Sequence, residues 1–433
     1  LSGTLLDSID WGTQVTPTGN MINVYFAANG ETFDGETSKG WSNYEKQQAM
    51  EAFGVFENVI DITFNVVTNQ ANADFKLVTT KNVGWLGYFN PPGTLNEGVG
   101  VFNKDGAGWN NNGGLEQGGY GFITLIHEFG HAMGLAHPHD TGGSSPKMHG
   151  VTSAFNDYGN FGLNQGVFTT MTYNDGWATG PDGTTSSNKF GWQGSLMALD
   201  IALLQQKYGA NTSFMAGDNT YKLPKKNKDG TFYSALWDTG GTDTISNMGS
   251  SRDAVIDLRA ATLNYEKGGG GYVSYAEGIY GGFTIANGVV IENAIGGSGD
   301  DRLTGNGQDN VLRGKKGNDK LVGKKGDDKL VGSGGSDKLV GGSGDDELVG
   351  SGGKDKFVFK NSFGQDRIRD FQNNKDTILL DDNLWNGNKS VNKVLNQFGY
   401  KSGNDFVLDF GNGDILTILD TTKSELKNDI DIV

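Results

Sequence analysis

Three of the five histidines in the chain fall in one eleven-residue window, HEFGHAMGLAH, spanning 127–137. In a helix, positions four apart share a face, so His127 and His131 can aim imidazole nitrogens at one metal ion about 2 Å away. Two ligands leave such a site incomplete. Gly134 can take the left-handed conformation that ends a helix, and the reversed chain then brings His137 round as the third ligand. Three neutral ligands leave a position open for water. Glu128, one residue after the first ligand, reaches the rim of the same site and is suited to take a proton from that water, which makes it the candidate general base of a zinc hydrolase. His139 and Asp140 follow closely, but a fourth protein ligand would close the position that hydrolysis needs, so His139, like His149, is assigned no catalytic role.

A second constellation begins at Gly296, where the chain repeats with a period of nine to Val358: GGSGDDRLT, GNGQDNVLR, GKKGNDKLV, GKKGDDKLV, GSGGSDKLV, GGSGDDELV, GSGGKDKFV. Glycines at positions one, among them Gly296, Gly314, Gly323, Gly332 and Gly341, and at positions four are expected to permit tight turns. Position six carries Asp301, Asn310, Asp319, Asp328, Asp337, Asp346 and Asp355. Together with backbone carbonyls these are hard oxygen ligands of the kind calcium prefers. Position eight is always Leu or Phe, so stacked turns would bury a narrow aliphatic core. The aspartates would then form a column of like charge, linking folding to calcium. Repeat two departs from the pattern with Gln308 and Asn310, and Lys315, Lys316, Lys324 and Lys325 occupy two other turns.

These groups need elements to hold them. NYEKQQAMEAFGVFENV has helical spacing, DITFNVV and ADFKLVTT read as strands, and NVGWLGYFNPPGT reads as an edge strand ended by Pro91 and Pro92. GFITLIHEFGHAM is helical, and SLMALDIALLQQKYGAN is a further helix ending at Gly209. PKKNKDG, near 224–230, reads as a linker, and the domain boundary is placed near 215. Strand and turn character follows.

The window at 127–137 matches the metzincin pattern, and Pro138 after the third His resembles the serralysin branch. The resemblance implies that Met171, in TTMTYND, forms a hydrophobic floor under the zinc and that Tyr173 stabilises the oxyanion. The repeat resembles the RTX parallel β-roll, in which ions sit between turns two repeats apart. WDTGGTDTIS and GVVIENAIGG are similar to serralysin segments that hold calcium through positions matching Asp238, Gly240, Gly241, Asp243 and Glu292. DRIRDF and KDTILLDD resemble the family's capping strands. The implied architecture is an α+β metzincin catalytic domain over residues 1–215, followed over 216–433 by an all-β domain with parallel β-roll and β-sandwich, its nonapeptide repeats at 296–358. The cofactors implied are one catalytic zinc ion and several structural calcium ions. The activity implied is endopeptidase action on extended protein or peptide substrates lying against Gly84–Asn90.

A net charge of −16 and 70 glycines in 433 residues fit this reading. The acidity argues against nucleic acid or an anionic membrane surface as partner and favours cations. Cysteine is absent, which excludes a disulfide scaffold and thiolate zinc sites. No apolar run of about 18 residues suggests a membrane span. No G-x-S-x-G supports a repeat-bearing lipase. The start at Leu1 suggests a processed zymogen. The resemblance further implies a monomer secreted from a Gram-negative bacterium by a type I apparatus that reads a carboxyl-terminal signal, here DIDIV, and a small protein inhibitor as a further partner.

Overall fold

The computed structural model describes residues 3–109 and 112–433. Leu1, on which the reading of a processed start rests, lies outside them. Helix α1 (Asn43–Glu57) starts at a reciprocal capping box between Ser42 and Glu45. Glu45 goes on to accept hydrogen bonds from Trp109 Nε1 and Lys104 Nζ, both at 2.9 Å. Its spacing of Ala49, Ala52, Phe53 and Phe56 makes one buried stripe. That stripe meets α2 (Tyr120–Ala132), where the Phe53 and Phe129 rings stack at 3.8 Å.

Beside the helices lies a five-stranded sheet of β1 (Met21–Phe26), β2 (Thr63–Val66), β3 (Phe75–Thr80), β4 (Gly87–Phe89) and β5 (Val99–Asn103), ordered β2-β1-β3-β5-β4. All pairings are parallel except β4 on β5, so the expected edge strand ahead of Pro91 does lie at the sheet margin. Asn103 N–H donates to Leu86 O, and Asn90 N–H to Val99 O. By the alternation of an antiparallel ladder, the backbone groups of Gly87 and Phe89 therefore face away from the sheet. Helix α3 (Ala198–Tyr208) ends at Gly209, which has a φ of 78°.

The nonapeptides form a two-sheet roll. Odd repeats lie in one ten-stranded sheet and even repeats in the other, each strand parallel to the one 18 residues ahead. Leu303, Leu321, Leu339 and Phe357 stack in the first sheet, and Leu312, Leu330 and Leu348 in the second. All are fully buried between the sheets. The array does not stop at Val358: Gln365–Ile368 and Thr377–Leu380 continue the two sheets in the same parallel sense. The terminal segment is an edge strand, Ile430–Ile432, paired with Thr377–Leu380.

The readings of the linker and of the repeat glycines change in detail. Gly191 N–H donates to Thr231 O, Tyr233 N–H to Trp192 O, and Gly194 N–H to Tyr233 O, so chain on either side of residue 215 is hydrogen-bonded together. The expected linker is a closed turn in which Thr231 Oγ1 donates to Lys226 O at 2.8 Å. Position-one glycines are also not the sites of left-handed turns. Positive φ occurs instead at position four, from Gly317 to Gly353, and at position two, where Lys315, Lys324, Ser333 and Ser351 adopt it with side chains. Position one must be glycine for another reason. A Cβ on Gly314, Gly323 or Gly332 would lie 2.1–2.2 Å from Oδ2 of the position-six aspartate of the same repeat. Among the described residues, no helix is long and apolar enough to cross a membrane.

Candidate active site

Helix α2 carries its histidines in the last two turns, and a left-handed Gly134 (φ 85°) reverses the chain so that His137 returns toward them. The chain's first residues strap this reversal: Ala136 N–H donates to Ile9 O at 2.8 Å and Trp11 N–H to Gly134 O at 3.1 Å. A Cβ at Gly134 would sit 2.2 Å from Thr13 O, so no larger residue fits under the strap. The Nε2 atom of His137 lies 3.2 Å from that of His127 and 2.9 Å from that of His131. Each Nδ1 has an acceptor: Thr170 O at 2.8 Å, Leu135 O at 3.0 Å and Asp140 Oδ2 at 2.8 Å, for His127, His131 and His137 respectively. A carbonyl or carboxylate only accepts, so the Nδ1 atoms carry the protons and three Nε2 lone pairs converge. Three lone pairs facing one another repel unless a cation lies between them, and four-coordinate nitrogen ligands about 2 Å from zinc stand little further apart. The residues present fit zinc. Burial and the neighbouring His137 push His127 down to about 3, and His131 also falls well below its ordinary value, so both are neutral at physiological pH.

Glu128 is buried beside the triad, against β4. Burial pushes its carboxyl up to about 8, opposed by the polar backbone N–H of Phe89 nearby. A dication on the histidines would favour its ionised form. Met171 is fully buried beneath the helix, and a Cβ on Gly130 would come 2.5 Å from its sulfur. The Tyr173 ring centroid stands 4.7 Å from that of His137 and 5.8 Å from that of His127. Burial pushes its hydroxyl up to about 12, which keeps it protonated. His139 stacks on His137 at 4.7 Å, beside the converging nitrogens and not among them, and His149 stacks on Tyr265 at 3.8 Å.

Sequence reasoning passed over the carboxylates that hold this arrangement. Asp140 orients His137. Asp200, fully buried on α3, accepts from Thr169 Oγ1 (2.6 Å), Thr170 N–H (2.7 Å) and Met197 N–H (3.0 Å), fixing the carbonyl on which His127 rests. Asp175 lies on a cleft of about 430 Å³ that opens beside His127 and Glu128. Burial pushes its carboxyl up to about 6.

In the roll, each position-six carboxylate accepts from the backbone N–H of its counterpart two repeats back. Asp319 Oδ1 takes Asp301 N–H, Asp337 takes Asp319, and Asp355 takes Asp337; Asp328 takes Asn310, and Asp346 takes Asp328, at 2.8–2.9 Å. Their Oδ2 atoms are buried without a hydrogen-bond partner. Orphaned buried carboxylate oxygens facing carbonyls are what a hard cation completes. Asp366 and Asp376 extend the two columns, and the D-x-apolar signature of DRI and DTI was visible in the sequence. Asn310 differs: its amide donates to Glu292 O (3.0 Å) and Asn306 Oδ1 (3.2 Å), so this position satisfies its neighbours with its own hydrogens. Asp301 belongs to the same ladder, but both its oxygens are bonded, to Ala254 N–H and Gly297 N–H.

Upstream, Asp243 N–H donates to Glu292 Oε2 at 2.7 Å. Burial and the nearby Asp238 and Glu292 carboxylates push Asp243 up to about 6, and its Oδ2 is likewise unpartnered. Gly240 N–H donates to Asp238 Oδ1 at 2.9 Å, and both Gly240 and Gly241 have positive φ.

Comparison with known proteins bears on this half directly. The family model described as Peptidase M10 serralysin C terminal matches residues 207–338, and that of the RTX calcium-binding nonapeptide repeat (4 copies) matches 322–357. Residues 207–338 thus resemble a serralysin carboxyl-terminal domain. Similarity to serralysins reaches beyond that domain. The chain is 33% identical to Serralysin C of Dickeya chrysanthemi over 319 residues, covering 69% of this chain and 61% of that one. It is 31% identical to Serralysin of Photorhabdus luminescens over 278 residues, 60% of this chain and 53% of that one. Metalloprotease AprA of Pseudomonas entomophila (strain L48) is 35% identical over 201 residues, 44% of this chain and 37% of its own length. The chain thus spans little more than half the length of the first two serralysins.

Proposed function

We propose that the chain is a secreted, calcium-stabilised zinc endopeptidase whose amino-terminal part is a metzincin domain. The observation that carries this reading is the convergence of three proton-free Nε2 atoms beside a buried glutamate, under an open sheet edge. His127, His131 and His137 would hold the zinc, which when bound supplies a Lewis acid for the scissile carbonyl and an acidified water. Glu128 accepts the proton of the attacking water on its carboxylate and passes it to the leaving amine nitrogen. Tyr173, held protonated, donates its hydroxyl to the oxyanion. Met171 floors the site. An extended substrate pairs with the backbone groups of Gly87 and its neighbours that β5 leaves free.

Calcium, held by the aspartate columns and by Asp238, Asp243 and Glu292, completes the roll. The scarcity of calcium inside a cell would keep the roll open until export. Work outside a Gram-negative cell after type I export and zymogen processing, and control by a small protein inhibitor, belong to the same reading.

The test is Glu128→Ala in the zinc- and calcium-loaded chain. Peptide hydrolysis should fall at least 10²-fold, in the range general-base removal costs, with the zinc content unchanged. Full activity in the variant, or a purified active chain lacking zinc, would sink the proposal.

A further inference from the structure

The cleft beside the triad is more than room for a backbone. It follows one face of α2 through His127, Thr124, Ile123 and Tyr120, two helical turns or about 10 Å along the axis. Asp175 stands at the Tyr120 end. Its carboxylate accepts from Gln193 Nε2 at 3.3 Å. Gln193 is itself fully buried, its Oε1 accepting from Gly176 N–H at 3.0 Å. The carboxylate is therefore fixed by its surroundings and not a swinging surface group. Trp85, Leu86 and Phe155 also line the cleft, and none of the described residues lining it is a lysine or arginine. Apolar sides with a lone anion at the far end suit a long aliphatic stem with a cationic tip.

Resting on the endopeptidase reading, we propose that Asp175 is a specificity residue that selects substrates carrying lysine or arginine at one position flanking the scissile bond. The side chain runs along the α2 face, lays its methylenes against Trp85 and Leu86, and sets its ammonium or guanidinium against the carboxylate. A neutral residue of the same length keeps the apolar contact but leaves the anion without a cation.

Cleavage-site profiling on a peptide library with the zinc- and calcium-loaded chain should show lysine and arginine enriched at a single position next to the cut. In a matched peptide pair differing only as lysine against norleucine there, the ratio of kcat/KM should favour lysine about 10- to 100-fold. Asp175→Asn keeps an acceptor for Gln193 and should collapse that ratio toward one. Asp175→Lys should shift the preference to glutamate. A structural role alone would change overall rate or melting temperature but not the ratio. Cleavage with no basic preference, or a ratio unmoved in Asp175→Asn, overturns the assignment of Asp175 and leaves the endopeptidase reading standing. A loaded chain that cuts no peptide at all overturns both.

Discussion

At the scale of single residues, the site is a set of short hydrogen-bond chains that end on imidazoles. Thr170 O orients His127, and Asp200 fixes Thr170. Asp200→Ala removes three acceptor contacts from a fully buried position and strands two backbone N–H groups. The expected cost is about 3 kcal/mol of stability by chemical denaturation. Zinc affinity, read by competition with a chromophoric chelator, should weaken about 10- to 100-fold as His127 loses its orientation. Unchanged zinc affinity would mean that the carboxylate supports the fold alone. The three histidines and Glu128 were legible in the sequence because their geometry is local: one helix, one left-handed glycine and one return. Asp140 lies close in sequence but sits in no periodic pattern that tells an orienting carboxylate from a surface one. Asp200 and Asp175 act across about 30 to 70 residues, which no spacing rule reports.

Elements tell a similar story. The helices and the edge strand lie where apolar spacing and the Pro91–Pro92 pair put them, because each is set by its own residues. The relation between turns two repeats apart came with the RTX resemblance and not from the period itself, and a strict period of nine is what hid Asp366 and Asp376, which sit 20 and 21 residues from their partners instead of 18. The glycine rule was misread for a physical reason. Position one is small because a carboxylate already occupies the space of its Cβ. Gly332→Ala should therefore push Asp337 off its seat and weaken calcium binding about tenfold by calorimetry. Asn310→Asp tests the opposite direction. It removes the two amide donations and leaves a bare carboxylate, so the variant should bind one more equivalent of calcium and melt at lower temperature in chelator. An unchanged stoichiometry would show that the amide does not stand in for an ion.

For the whole molecule, the two columns make stability depend on pH in a sense opposite to ordinary surface carboxylates. Burial first, and like charge in several cases, pushes Asp337, Asp346 and Asp355 up to about 6, Asp319 to about 7 and Asp328 to about 8. Between the unfolded value near 3.8 and these folded values, the metal-stripped native chain binds more protons than the unfolded one, so stability falls as pH rises through that window. Thermal melts in chelator should give a lower midpoint at pH 8 than at pH 5, and saturating calcium should abolish the difference. A midpoint that rises with pH in chelator would contradict the argument. The N–H-to-carboxylate ladder has one more consequence. Each aspartate spends one oxygen on the turn behind it, so an ion that seats one carboxylate also positions the next backbone donor, and neighbouring sites cannot fill independently. On the proposed reading, in which calcium completes these carboxylates, the stack should respond as a threshold device, with a steep sigmoidal calcium titration of folding in place of a graded one.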